Sequence, residues 1–479
     1  MKFNSYQKRA IGVMAFAGIL VMYIETMVVP SPPVMVKDFH TDYDMLSWVI
    51  TAYLISGTVS SIIFGKLADI YGKKKMFLIV SGVYALAIIF GGFANSLDVF
   101  IAIRAVQGVG MAMFPLAFSL IRDEFTPDTI AVAQGVVGGT VAGGASLGLV
   151  LGAYISQNYG WQFDYHTAIP VALALFILAA RVLRESEYRA NVKIDWLGTF
   201  TLITSVTLLL IALSQGQYWG WQSNAVISLI AISIALLFIF IIVEMNAKEP
   251  LIDLKLLSSR NIFLINVISI FASSGQFFLY YTIPPLLEDP SPVGFGESIV
   301  TAGLTNLPAS LLAMVTAPFA GLLTQKKGPR FTLLVGIFLQ IIAFIALYFN
   351  RGDAFAITED SSILGLSMPF AMVGIINILV RETPEDKVGV STGMNQFFRN
   401  FGSTIAPAIA GVIEVSYQQG VVLGLIPGNG SIPYIPMIQY FPSNESFSYI
   451  YIIGIIFLLI TLAFTLALKN INFKAKEVN

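Results

Sequence analysis

Long, continuous apolar runs dominate the chain. Fourteen of them, at about 10–30, 45–65, 76–95, 98–121, 130–155, 168–183, 196–214, 224–244, 262–284, 299–323, 331–349, 362–380, 389–414 and 447–468, hold enough apolar residues to span a bilayer. A helix needs about 20 such residues to cross about 30 Å of hydrocarbon. The runs are unbroken rather than alternating, which favours helices over strands. A helix also satisfies its own backbone hydrogen bonds in lipid. The pattern predicts an all-α integral membrane protein with fourteen transmembrane helices.

The polar breaks between runs are as informative. Gly65-Lys66-Leu67-Ala68-Asp69-Ile70-Tyr71-Gly72-Lys73-Lys74-Lys75 is a short charged turn between the second and third runs. An imperfect copy, Gly321-Leu322-Leu323-Thr324-Gln325-Lys326-Lys327-Gly328-Pro329-Arg330, follows 256 residues later. In the fifth run, Gly148 to Ala153 lines up with Ala406 to Gly411 at an offset of 258. The chain therefore divides into a six-helix half over about 1–190, two inserted helices within about 191–254, and a second six-helix half over about 255–479. Two such halves related as parallel repeats form one transporter architecture, with the substrate site near the midplane between them. The longest piece outside the runs, 417–446, has no Lys or Arg and is expected to pack on the protein or the membrane surface. It holds two acceptor sequons, at Asn429 and Asn444, a tripeptide that arises often by chance.

Composition agrees with this and excludes several functions. Hydrophobic residues make up 56% and charged residues 11% of the chain, against about 25% charged in a soluble domain. The net charge of −1 gives no sign of a nucleic-acid partner. With no cysteine and only His40 and His166, disulfides, thiolate chemistry and a histidine metal centre are not expected, and no cofactor is. Lys and Arg are distributed very unevenly. With the N-terminus inside, 23 of 27 fall on the inner side and only Lys37 and Arg351 on the outer side. The positive-inside rule then places both termini in the cytoplasm. The first run, preceded by Lys2, Lys8 and Arg9, reads as an uncleaved helix and not a signal peptide. No phosphate-binding glycine loop is present, so a gradient-driven carrier is expected instead of an ATPase.

The Gly65–Lys75 turn resembles the signature between helices two and three of the major facilitator superfamily. Trp48-Val49-Ile50-Thr51-Ala52-Tyr53 and Arg104-Ala105-Val106-Gln107-Gly108-Val109-Gly110 resemble motifs of its fourteen-helix drug:proton antiporter branch. Asp195-Trp196-Leu197-Gly198, with Ser214-Gln215-Gly216 and Trp219-Gly220-Trp221, resembles that branch's inserted seventh helix and the loop after it. Pro250-Leu251-Ile252-Asp253-Leu254 resembles its approach to helix nine. Two departures stand out. In helix five Leu149 replaces a proline and Gly152-Ala153 replaces a glycine pair; in helix one Glu25-Thr26 stands where Asp-Thr is usual. The resemblance implies a multi-pass cell-membrane protein that works as a monomer. It would export hydrophobic or cationic drug-like small molecules in exchange for protons. A cavity walled by Phe, Tyr and Met would suit such substrates. A carrier of a metabolite, sugar or organic acid on the same fold is the alternative; a receptor or sensor is a further one. Neither a clustered catalytic set nor a catalytic loop points to an enzyme.

Ionisable residues inside spanning helices are costly and so are candidates for function. Glu25 lies about 22 Å up helix one from the inner face, and Arg104 about 9 Å down helix four from the outer face. In the superfamily fold these helices are neighbours, so a Glu25–Arg104 contact is expected to couple protons to transport. Arg399, near the midplane of helix thirteen, with Asn395, Gln396 and Gln107, is a candidate for the central cavity. Gln276, Asn306 and Asn377 read as contacts between helices. Gly65, Asp69, Gly72 and Arg122 are expected to form an inner gate, with Asp69 either capping a helix N-terminus or pairing with Arg122. Lys73–Lys75 read as topology signals. Two glycine rows in helix five, at Gly135, Gly139 and Gly143 and at Gly144, Gly148 and Gly152, predict close neighbours on two sides. Asp164 and His166 read as part of a solvated loop, with proton access as the alternative.

Overall fold

The computed structural model describes residues 3–41, 43–186, 195–247, 254–384, 387–427 and 434–469. Residues 250–253 and the sequon at Asn429 lie outside the described residues. Fourteen long helices appear among those described. In the first half they are α1 (Ser5–Thr26), α2 (Trp48–Tyr71), α3 (Lys73–Gly91), α4 (Leu97–Glu124), α5 (Pro127–Tyr159) and α6 (Gln162–Val182). The inserted pair is α7 (Trp196–Trp219) and α8 (Asn224–Asn246). The second half comprises α9 (Arg260–Glu288), α10 (Val300–Lys327), α11 (Pro329–Phe349), α12 (Ala354–Glu382), α13 (Val388–Ser416) and α14 (Asn444–Ala467). Thirteen are long and apolar enough to cross a membrane. The other, α13, has the length, 29 residues, but carries Asn395, Gln396, Arg399 and Asn400 along its middle. Neighbouring helices bury Asn395, Gln396 and Asn400, and Arg399 is half-buried, so α13 need not be apolar all round.

Local sequence sets the helix ends. Gly72 and Gly328 end α2 and α10 at φ 108° and 100°, a region open to glycine and rarely to other residues. Ser96, Asp195, Ser223, Asp353 and Ser443 cap the starts of α4, α7, α8, α12 and α14 with side-chain oxygens. Pro127 and Pro329 open α5 and α11, where a missing N–H costs nothing. At α6 the helix starts earlier than the apolar run. Asp164 and His166 therefore lie in its first turns, not in a loop, and Asp164 is 1% exposed.

Two seams join the halves, and small residues make both possible. On α2, a Cβ at Gly65 would overlap the carbonyl oxygen of Gly389 on α13. On α5, a Cβ at Gly135 would come within 2.6 Å of the Ala317 carbonyl oxygen of α10, and one at Gly321 within 2.6 Å of Val132 Cα. The second glycine row of α5 turns the other way, with Gly144, Gly148 and Gly152 against Ile19, Tyr23 and Met27 of α1. The two rows thus serve two neighbours, as their spacing predicts.

The inserted pair lies along the α2–α13 seam. Ser205 and Ser233 join α7 to α8 through reciprocal bonds to backbone carbonyls, each 2.8 Å. Thr51 and Ser214 are 2.5 Å apart, and Gln215 donates to Ser47 at 3.1 Å, tying α7 to α2. Leu202, Val206 and Leu210 of α7 share an apolar cluster with Ile62 of α2 and Met394 of α13. The other side of the pair exposes Ile234, Phe238 and Ile242 of α8, as a lipid-facing helix does.

The segment between α13 and α14 departs from an all-helical chain. It forms an antiparallel hairpin, β1 (Gln418–Pro427) with β2 (Tyr434–Pro442), with a register shift between Val422 and Gly424. Of the two expected packings, on the protein or on the membrane surface, the first does not hold for Val422, Leu423, Met437, Ile438 and Tyr440, which are exposed. Adjacent exposed positions on one strand mean that both faces are apolar.

Candidate functional site

The 66–75 turn, the 321–330 turn and the start of α13 share one end of the bundle, here termed the basic end. It is closed, and Asp69 contributes directly. The carboxylate sits in the last turns of α2 and is 2% exposed. It accepts the backbone N–H groups of Gly389 at 3.1 Å and Val390 at 2.9 Å. The N-cap of α13, Lys387, makes no side-chain cap bond. Asp69 thus caps the helix from the other half, where its charge also suits the helix dipole. The expected alternative, an Asp69–Arg122 pair, does not form. Arg122 instead donates to the Val380 carbonyl of α12, a second link between the halves.

The turn itself is braced from within the first half. Lys73, 1% exposed, pairs with Asp123 at 2.5 Å, and Ser186 also donates to Asp123. Glu185 accepts from the backbone of Lys74 and Lys75, each at 3.1 Å, and occupies the space beside Gly72 that a side chain would fill. Lys73 is therefore a buried structural ion as well as a topology signal.

In the middle of the bundle lies a narrow cleft with a cavity volume of about 50 Å³. Its polar wall is one-sided: Arg399, Gln276, Gln340, Ser269 and Ser273 come from α9, α11 and α13, all in the second half. The apolar wall includes Gly138, Gly139 and Val141 from α5, with Ala272, Ala313, Met368 and Met372. Among the described residues no hydrogen-bond partner meets the Arg399 guanidinium. Gln340 is 3% exposed, and its Oε1 is buried without a partner.

Glu25 and Arg104 do not touch. Arg104, fully buried, donates to the carbonyls of Val49 at 3.1 Å and Ile24 at 3.3 Å and to Gln107 at 3.2 Å. Its guanidinium stacks over Tyr53, 4.3 Å from the ring centroid. The depth argument gave the right height but not the direction of the side chain, and main-chain carbonyls took the cation. Arg104 ties α1, α2 and α4 together. Glu25 is half-buried, and its Oε2 is buried without a hydrogen-bond partner. The cations within electrostatic reach are Arg104 and Arg399.

Most of the other candidates serve contacts between helices. Gln107 donates to the Ala87 carbonyl at 3.1 Å and accepts from Tyr165 at 3.4 Å, inside the first half. Asn395 donates to Asn266 and Ser269 of α9, at 3.0 and 2.8 Å. Gln396 donates to Asn400, which in turn donates to Thr58 of α2 at 3.0 Å, across the seam. Asn377 bonds to its own helix, at Val373, and Asn306 accepts across the α5–α10 seam from Ser146. Gln276, read from the sequence as a helix contact, lines the cleft. Gln340 was overlooked, though a lone amide inside the Phe338–Ile342 apolar run was a visible signal. The Gly389 and Val390 amides had none, because a backbone N–H leaves no mark in the sequence.

Comparison with known proteins agrees with this geometry. The profile of the Major Facilitator Superfamily matches residues 14–407. The multidrug transporter protein MdtP of Bacillus subtilis is 29% identical over 395 residues, covering 81% of this chain and 72% of that one. The tetracenomycin C resistance and export protein of Streptomyces glaucescens is 26% identical over 415 residues, covering 85% and 75%. Among solved structures, the human organic anion transporter MFSD10 superposes with a TM-score of 0.67 at 13% identity, over 96% of this chain and 99% of that one. The proton:xylose symporter XylE gives 0.66 at 12% identity, over 96% of each. At such identities these two speak for the fold alone. Two six-helix halves, seams of small residues, a cleft between the halves and a profile match over most of the chain lead to one assignment: the chain belongs to the Major Facilitator Superfamily.

Proposed function

We propose that the chain is a secondary transporter that exports drug-like small molecules by alternating access, driven by protons. The observation that carries this reading is the cleft between the halves, with a polar wall around Arg399 and a basic end closed by Asp69. The names of the relatives support export. The distribution of Lys and Arg supports a cytoplasmic basic end, with both termini on that side of the cell membrane. Each chain holds both halves, so a monomer suffices, and the partners are the substrate, protons and the surrounding bilayer.

In this cycle the conformation described here is the one closed to the cytoplasm. Opening the other way requires Asp69 to release the Gly389 and Val390 amides. A hydrogen bond to a charged group contributes about 1.5–3 kcal/mol, so each of the two bonds biases the two states by roughly 10–150-fold. Glu25 is the proton carrier in this reading. Ionised, it balances the positive charge of Arg399; protonated, it leaves that charge to the cavity. Efflux of a hydrophobic dye from proteoliposomes, driven by an imposed pH difference, tests this. Glu25→Gln is expected to lower the pH-driven rate at least 20-fold while leaving downhill exchange measurable. Full pH-driven efflux by Glu25→Gln would remove Glu25 from the mechanism.

A further inference from the structure

The corner between α13 and α14 carries an apolar surface that continues past the end of the bundle. α13 starts at the basic end, against Asp69, so the hairpin that follows it lies at the opposite end. On α14 the exposed residues Tyr449, Ile452, Ile456, Leu459 and Leu466 recur three, four or seven residues apart. That spacing makes one apolar stripe along the helix, the mark of a lipid-facing side. At the top of the stripe Tyr449 stacks on Tyr417, the residue just before β1, with ring centroids 4.7 Å apart. Polar groups mark the water boundary at the same level. Arg351 donates to the Asn444 carbonyl at 3.3 Å and to Ser448 at 2.6 Å, and Glu445 is exposed. Tyrosine rings favour that boundary.

The hairpin starts at this level and stays apolar. From Ser416 to Ser443 the chain has no Asp, Glu, Lys or Arg. Val422 pairs with Ile438, which shares a face with Tyr440. Met437, next along β2, points the other way, and all four are exposed. A protein docked on such a ribbon covers one face, whereas a fluid medium covers both. Pairing with a strand of another chain is also disfavoured. Pro436 and Pro442 in β2 lack the N–H that a ladder needs, and the register shift between Val422 and Gly424 bends β1. Both features blunt a strand edge.

We propose that the hairpin is a lipid anchor. It lies in the leaflet opposite the basic end, at the depth of the headgroups and first acyl carbons, with lipid against both apolar faces. The depth follows from the backbone. A two-stranded hairpin leaves N–H and C=O groups unpaired along its outer edges; these need water and keep it out of the hydrocarbon centre. With no charge of its own, the hairpin is held by apolar burial and not by anionic headgroups. The proposal is independent of the export reading.

The chain has no cysteine, so a single introduced cysteine carries a fluorescent bimane without background. Leu423→Cys and Met437→Cys, in the full chain in phosphatidylcholine liposomes, are compared with two reference sites. Ile456→Cys lies in the lipid-facing stripe, and Gly352→Cys in an exposed loop at the same end of the bundle. All four sites are open, so the labelled variants should fold. Lipids brominated on the upper acyl carbons are expected to quench both hairpin labels at least two-fold, and lipids brominated near the chain ends clearly less. Aqueous iodide should quench them less than it quenches Gly352→Cys. Adding phosphatidylglycerol or raising the salt should leave lipid quenching unchanged. Iodide quenching equal to that at Gly352→Cys, with no effect of brominated lipid, would place the hairpin in water and overturn the proposal. Protection from both quenchers would overturn it in favour of contact with protein, either this bundle or a second copy. Equal quenching by upper and terminal bromines would overturn the interfacial depth, and a loss of lipid quenching in high salt would overturn apolar burial as its cause.

Discussion

The two basic turns are copies in sequence and differ in what they do. Each ends a helix with a glycine at positive φ, Gly72 and Gly328. Each places a second glycine, seven residues earlier, in the seam between the halves: Gly65 against Gly389, and Gly321 against Val132. Only the first adds charge. Asp69 caps α13, whose own start at Lys387 provides no side-chain cap. The second copy has Gln325 at that position and faces α5, which begins Thr126-Pro127 and so has one N–H fewer to offer. Around the shared turn, Arg330 is directed outwards and donates to the Thr465 and Leu466 carbonyls of α14. Steric fit is thus common to both seams, whereas electrostatic bias is confined to one.

The largest effects should come from the shared part. Gly65→Val and Gly321→Val each put a branched side chain where a single Cβ already overlaps backbone. Backbone cannot move aside as a flexible side chain can, so the basic end should stay open in both variants. Transport is expected to fall at least 100-fold with protein levels in the membrane maintained. Labelling of a single cysteine introduced into the cleft should rise from the basic end in both. A variant that transports normally would show that the seam tolerates more separation than these contacts allow.

The unshared part should have a smaller effect, and an asymmetric one. Asp69→Asn removes the charge but keeps an acceptor for one amide. The loss of charge-assisted bonding is about 1.5 kcal/mol or more, so transport should fall by about ten-fold and labelling from the basic end should rise. Gln325→Ala should cost less than three-fold. Equal losses at the two sites would remove the distinction between a latched and an unlatched seam.

Much of this was legible in the sequence because lipid makes strong demands. Fourteen apolar runs, two glycine-framed turns and two glycine rows in α5 all became what their spacing implies. The candidate site was less legible, for a reason that Glu25 and Arg104 make plain. Counting residues along a helix gives a height in the membrane but no direction around the axis. Arginine also has many acceptors, and main-chain carbonyls such as those of Ile24 and Val49 are invisible in sequence. The same holds for the amides that Asp69 takes. The hairpin at 418–442 was hidden differently. Its strands lack charge, its Gly and Pro residues read as loop, and both of its faces are apolar, so no alternation marked it.

A third contrast sharpens what makes a buried carboxylate tolerable. Asp69 has two backbone donors, whereas Asp289, just beyond α9 and away from the basic end, has an Oδ2 that is buried with no partner. Burial pushes its carboxyl up to about 6 from the ordinary 3.8. A raised acid holds its proton more tightly folded than unfolded. Its contribution to stability is therefore full below about pH 4 and is lost as the pH rises through about 6. Asp289→Asn removes that dependence. The variant should match the unaltered protein near pH 4 and melt higher at pH 7.5. Asp289 is partly exposed, so solvent screening reduces the gain to under about 1 kcal/mol, or roughly one to two degrees. Glu288 and Glu414 lie close enough to interact with it, so the difference between the two melting curves is the quantity to follow. A difference that is flat from pH 4 to 7.5 would mean that Asp289 finds a partner in the folded protein after all, and that the contrast with Asp69 is one of position and not of hydrogen bonding.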